Sequence, residues 1–507
     1  MNVARIPGQI ASISLTATLT TARTATLTAA LTAALAAALA CGGGAPSGND
    51  PRDPGGDARV SVLWDGRSVE WGAPESLRAT LSGAPEGAEI VWRSLDDFYL
   101  GQPVVLGRGP AITTAVLKPG TTTVEAAIVA GSRTLARDAA SVTVGYRESW
   151  NVSLEGHVPY PAGTVGDVWV TQGHALVARR SAGGISIVDL DGAIREVGRF
   201  TAPGLFTQDV KATGPVAFVS HEGNTYPNSV TVLDLADPAN PRQIAAISRV
   251  ETPTAHNLWI DESTLYVAAP FVSRLIHAYD VTDPGSPRPL STLASTNGSA
   301  HDIHVRDGIV FGSFLPLKEG QIGELVLASS DVLAPFSFTT YGGAFTHSSW
   351  LSMDGRYLYV ADEVLNAPIR IFDVSNPGSP VRVGAYQPRL GTIPHNFQVR
   401  DGRHAFLAHY KHGVEIVDVS EPAAPRLVGF YDTYPGAQAD VAGAGAMNVS
   451  SAMALTRDVC EEHCLSLSRS PTAQSIFDGA WGVHWTDDGR IVASDMASGL
   501  YVLRFTP

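Results

Sequence analysis

The stretch Ile371-Phe-Asp373-Val-Ser-Asn-Pro377-Gly-Ser-Pro380 reads as the end of one strand, a tight turn and the start of the next strand. The Asn before Pro377 initiates the turn, and Pro380 fixes the backbone angle at which the chain leaves it. The phrase returns as Val232-Leu-Asp234-Leu-Ala-Asp-Pro238-Ala-Asn-Pro241 and as Ala278-Tyr-Asp280-Val-Thr-Asp-Pro284-Gly-Ser-Pro287. It appears again as Glu415-Ile-Val-Asp418-Val-Ser-Glu-Pro422-Ala-Ala-Pro425, and in shortened form as Ile187-Val-Asp189-Leu. A hairpin copied along a chain signals a repeat architecture, in which each unit buries its faces against its neighbours.

A second phrase precedes the first: a pair of residues that opens an apolar strand. The pairs are Gly166-Asp167, Gln208-Asp209, His256-Asn257, His301-Asp302, His347-Ser348, His395-Asn396 and Trp481-Gly482. From Asp167 to Asn396 their second members stand 42, 48, 45, 46 and 48 residues apart, the length of a four-stranded blade. Seven openings predict a seven-bladed β-propeller over residues 150–507. The last interval is 86 residues, because a small, polar, Cys-bearing insert fills about 436–479. The last blade, Trp481 to Phe505, holds three strands, and Asn151-Val-Ser-Leu-Glu-Gly-His157 is free to supply the fourth. That exchange removes open edges.

Upstream the text changes. With 33 Pro and 50 Gly among 507 residues and few long apolar helical runs, the chain is all-β. Residues 58–146 alternate as short strands around Val60–Leu63, Glu89–Trp92, Thr122–Val129 and Ala140–Val144, which predicts a small β-sandwich. Residues 1–40 look like a lipoprotein signal, with Arg5 and Arg23 ahead of an Ala/Leu/Thr-rich run that ends Ala38-Leu39-Ala40-Cys41. Ala38 departs from that pattern, which prefers a larger aliphatic residue. Cys41 is then lipidated, and residues 41–57 form a flexible linker. Gly42 resembles the sorting pattern for the outer membrane. The expected location is extracytoplasmic, at an outer membrane or cell surface. Cys460 and Cys464 remain and read as a local disulfide; with His463 the alternative is half a metal site, lacking a second Cys-x-x-Cys.

The 35 basic against 49 acidic side chains give −14, and −16 once residues 1–40 are removed. An acidic chain without a basic stripe argues against nucleic acid and anionic lipid as partners. The membrane is met through the lipid anchor alone, and the protein is expected to be a monomer.

These residues resemble LVIVD-repeat propellers, and the longer text resembles the choice-of-anchor B proteins, bacterial surface propellers with interchangeable attachment devices. The resemblance is carried by Ala255-His-Asn257, Ala300-His-Asp302, Thr346-His-Ser-Ser-Trp350, Arg356-Tyr-Leu-Tyr-Val-Ala-Asp-Glu363, Pro394-His-Asn396 and Asp495-Met-Ala-Ser-Gly-Leu-Tyr-Val-Leu-Arg504. Residues 58–146, with Val91-Trp92-Arg93-Ser94, resemble bacterial immunoglobulin-like modules; lacking a cysteine pair, Trp92 packs on an apolar core. The resemblance implies exposure outside the cytoplasm and supplies no reaction, substrate or cofactor.

A propeller gathers the openings of its inner strands around one channel mouth. His256, His301, His347 and His395 would form an arc there, and loops on the same face add His221-Glu222, Asp362-Glu363, His409-Tyr410-Lys411-His412 and Asp495. Imidazoles and carboxylates converging from several blades are the ingredients of a divalent-metal site or of an acid–base pair. They equally suit hydrogen bonding between blades. The candidate ligand-binding residues are therefore His256, His301, His347, His395, Asp362, Glu363, His409 and Asp495, with no catalytic set. No Gly-x-Ser-x-Gly, His-Glu-x-x-His, P-loop or Gly-x-Gly-x-x-Gly occurs. The expected function is binding of a protein, glycan or small ligand on the loop face; the alternatives are a metal-dependent hydrolase or lactonase and a structural scaffold.

Overall fold

The computed structural model describes residues 57–162, 164–222, 227–270, 272–317, 322–343, 345–434 and 478–507. The expected signal, Cys41, Cys460, Cys464 and nearly all of the 436–479 segment lie outside the described residues. Every regular element among those residues is a β-strand.

Two sheets come first. Arg59–Leu63, Glu75–Ser82 and Ala111–Thr114 form one; Ser68–Glu70, Arg133–Gly145, Gly120–Ala130, Glu89–Tyr99 and Gln102–Arg108 form the other, in that order. The second sheet is antiparallel except where Ser68–Glu70 runs parallel to Arg133–Gly145. Trp92 is fully buried among apolar side chains, and its indole nitrogen donates to the Gly109 carbonyl at 2.9 Å.

From residue 152 onward the strands make the blades of a β-propeller, each an antiparallel sheet. The inner strands are Val168–Thr171, Phe206–Thr213, Asn257–Asp261, Gly298–Arg306, Thr346–Leu351, Phe397–Val399 and Ala480–Trp485. Each packs beside the next, and Val168–Thr171 packs beside Ala480–Trp485. The strand expected from Asn151–His157 is Val152–Pro159. It pairs with Gly499–Phe505 and so lies outermost in a sheet whose other three strands come from the C-terminus. Ser149–Trp150 adds a fifth strand to the sheet of Phe397–Val399, on the edge of Arg426–Tyr431.

The repeated turn shows why its Asp recurs. Asp234 Oδ1 accepts the Ala236 N–H at 2.9 Å, and Oδ2 accepts from Arg242 at 2.6 Å. Asp280 does the same with Thr282 and Arg288, and Asp418 with Ser420 and Arg426. Where Val381 replaces the arginine eight residues on, Arg356 donates to Asp373 instead. The carboxylate thus caps the turn and ties both ends of the hairpin.

The two N-terminal sheets pack against the propeller. Trp71, fully buried, lies against the Arg389 guanidinium (4.1 Å), the Phe430 ring (5.4 Å) and the His412 ring (4.8 Å) of the propeller. Tyr99 accepts from Arg370 at 2.6 Å, Tyr146 donates to Asp432 at 2.9 Å, and the Leu390 N–H donates to the Val116 carbonyl. One apolar cluster runs through both parts.

Candidate functional site

The strand-opening pairs sit at bulges. In four blades the ladder slips at the pair: between Thr207 and Val210, Ala300 and Asp302, Thr346 and Ser348, and Ala480 and Gly482. A bulge breaks the in–out alternation of a strand and re-aims a side chain. Both members of a pair can then line the channel, as His301 and Asp302 do around a cavity of about 10 Å³. That volume suits about one water.

The two columns have different partners. The second members bridge blades: Asp209 Oδ2 accepts the Leu258 N–H of the next blade at 2.7 Å, and Asn257 Oδ1 accepts that of Ile303 at 3.2 Å. Ser348 donates to the His395 carbonyl at 3.1 Å. Gly482 belongs to this column because a Cβ there would stand 2.0 Å from Asp167 Oδ1. Lys211 lies between Asp167, at 3.0 Å, and Asp209. Burial works against its charge, but the two carboxylates outweigh that and raise its pKa. Burial raises the Asp302 carboxyl well above the ordinary carboxylate range, and neighbouring Asp209 and Asp167 add to the effect.

The first members form the arc. Ring centroids are 4.1 Å apart from His256 to His301, 4.4 Å to His347, 4.3 Å to His395 and 4.3 Å on to Trp481. Two carboxylates flank them. Glu222 approaches His256 Nδ1 at 2.5 Å and accepts from Gln208 at 2.7 Å. Burial opposes its charge, yet those partners leave its pKa below the ordinary value. Glu363 stands 3.8 Å from both His347 Nε2 and His395 Nε2, and Tyr410 donates to it at 2.6 Å. Burial pushes Glu363 up to about 7. The Arg180 guanidinium lies 4.8 Å from the Trp481 ring centroid. His301 Nδ1, His347 Nδ1 and His395 Nε2 are buried and have no hydrogen-bond partner among the described residues.

Of the eight candidate residues, His256, His301, His347, His395 and Glu363 come together. The others do not join them. Asp362 pairs with Arg370 and accepts from Tyr341 and the Phe345 N–H. Asp495 caps its own loop through the Ala497 and Ser498 N–H groups and accepts from Thr433. His409 bonds Glu415 at 2.9 Å, in a buried group with Arg389 and His412 beside Trp71. Asp–Glu and His–Tyr–Lys–His look alike as loop text, but adjacent residues on a strand end face opposite sides of the sheet.

Sequence reading also passed over a third column, two residues beyond the second: Trp169, Lys211, Trp259, His304, Trp350, Gln398 and His484. Its rings pack across the channel, with Trp169 and Trp259 6.0 Å apart and Trp259 and Trp350 5.3 Å apart. His304 lies 4.5 Å from Trp259 and 4.6 Å from Trp350. A cavity of about 30 Å³ separates this floor from the Asp/Asn column. Alternation of period two from the second members would have found it.

Residues 347–387 and 401–433 match the LVIVD repeat family. No curated protein matches the chain. Among solved structures the chain is similar to the β-propeller domain of Cps50 (Swd1) from Myceliophteria thermophila, 13% identical, over 69% of this chain and 98% of that one, with a TM-score of 0.49. Each matched stretch contains one copy of the Asp-capped turn, at Asp373 and at Asp418, so this chain carries LVIVD repeats built into a β-propeller.

Proposed function

We propose that this protein is a lipid-anchored, extracytoplasmic binding protein. In this reading it is a seven-bladed propeller of the choice-of-anchor B kind that takes a ligand at the channel mouth without catalysis, beside an immunoglobulin-like module. The observation that carries the binding reading is the set of buried, unpartnered imidazole nitrogens on His301, His347 and His395. Each such atom costs about 1–3 kcal/mol when unsatisfied, and unlike the unpartnered nitrogens of His304 in the aromatic floor, these gather on neighbouring blades beside the Glu363 carboxylate. The second column already provides hydrogen bonds between blades. Palmitate labelling tests the anchor: the full chain should label and Cys41→Ala should not, and equal labelling ends that part of the reading. A thermal-shift panel of metal ions, glycans and peptides tests the mouth. At least one compound should stabilise the wild type and not the His301→Ala/His347→Ala variant; identical responses would place the site elsewhere.

A further inference from the structure

His395 has a fixed tautomer. Its Nδ1 lies 2.6 Å from the Trp481 carbonyl, which can only accept, so the proton sits on Nδ1 and Nε2 keeps a lone pair. That lone pair meets Glu363 Oε1 across 3.8 Å, and Nε2 has no hydrogen-bond partner among the described residues in a side chain 2% exposed. His347 Nε2 stands at the same distance from the other oxygen of Glu363. These gaps are too long for hydrogen bonds. They are close to the spacing of two ligands on one ion: donors at about 2.0–2.1 Å from a tetrahedral zinc lie roughly 3.4 Å apart. His301, His347 and Glu363 each offer one atom, all within 4.8 Å of one another. The Tyr410 hydroxyl on Glu363 orients the carboxylate, as outer partners of metal ligands do.

We propose that His301, His347 and Glu363 bind a divalent transition-metal ion of the zinc type, with His395 beside it and one coordination position open to the mouth. The proposal rests on reading the mouth as the ligand site and names the ligand. Two imidazoles with one carboxylate suit zinc-like ions, whereas calcium and magnesium take oxygen shells. The second cluster of this type, His409, His412 and Glu415, is a poorer host, because the Arg389 guanidinium already holds Glu415 at 2.8 Å and repels a cation.

The test uses the full chain in detergent, stripped with EDTA and titrated with zinc and with cobalt. The wild type should bind one equivalent more than His347→Ala/Glu363→Gln. The extra cobalt should show ligand-field bands without a thiolate charge-transfer band, which separates it from Cys460 and Cys464. His304→Gln, below the mouth, should behave as wild type. Equal stoichiometry in wild type and double variant overturns the proposal. If the double variant does not fold, Glu363→Gln alone decides by the same comparison, since the amide keeps the shape of the carboxylate but lacks its charge for the metal. If metal fails while another panel compound still stabilises the wild type, only the metal assignment falls; if nothing does, both readings fall.

Discussion

At the scale of single residues, position in the channel decides what a histidine does. His304 and His484 lie in the floor, and burial pushes both down to about 3. Neither ring nitrogen of His304 has a hydrogen-bond partner among the described residues. In the unfolded chain such a histidine titrates near 6.5, so below that pH the unfolded state binds protons that the folded state refuses. Stability from these groups is complete above about 6.5 and is lost progressively as the pH falls toward 3. Urea unfolding at several pH values should show that loss, and His304→Phe should flatten it by up to about 1.4 kcal/mol per pH unit. An unchanged slope would mean that the imidazole is hydrated. The mouth histidines were legible in the sequence as a column, because the blade copies the register. Their separation from Asp362, His409 and Asp495 was not, because it depends on which face of a strand end each side chain takes.

At the scale of the element, the deciding join is between Val152–Pro159 and Gly499–Phe505. Gly499 has a φ of 121°, and a Cβ there would stand 2.3 Å from the Val158 carbonyl oxygen. Gly499→Ala should therefore cost about 1–3 kcal/mol in thermal unfolding. Gly342→Ala, with nothing within 4 Å of its Cβ, should cost far less; equal effects would show that the join carries no strain. Strands whose alternation is regular were visible in the text, including all four expected in residues 58–146. Glu75–Ser82 and Gln102–Arg108 were not singled out: Gly107 and Pro103 weaken the second as strand text, and in the first the residues through Ser82 alternate around only two fully buried positions, Leu77 and Ala79. The turns were the clearest signal of all, since Asp, Pro and Arg act there by local geometry that needs no distant partner.

At the scale of the whole molecule, the two N-terminal sheets and the propeller share one apolar cluster and should unfold together. Trp71 fills the junction between Arg389, Phe430 and His412, so Trp71→Ala should cost about 3–5 kcal/mol. Calorimetry should then split one transition into two; a single transition at the wild-type temperature would show that the junction is dispensable. The docking was invisible in the sequence, because Trp71 sits in an unremarkable turn and its partners lie more than 300 residues away. Distance along the chain has a further consequence, which concerns synthesis. Val152–Pro159 leaves the ribosome some 350 residues before the strand that pairs with it. At about 5–20 residues per second, that is an interval of tens of seconds during which its edge has no partner. Ser153, Glu155 and His157 are exposed along this strand, and polar side chains of that kind discourage pairing with another nascent chain. The blade is completed only when Gly499–Phe505 has been made, so any machinery that moves this chain during translation handles it with that edge still unpaired.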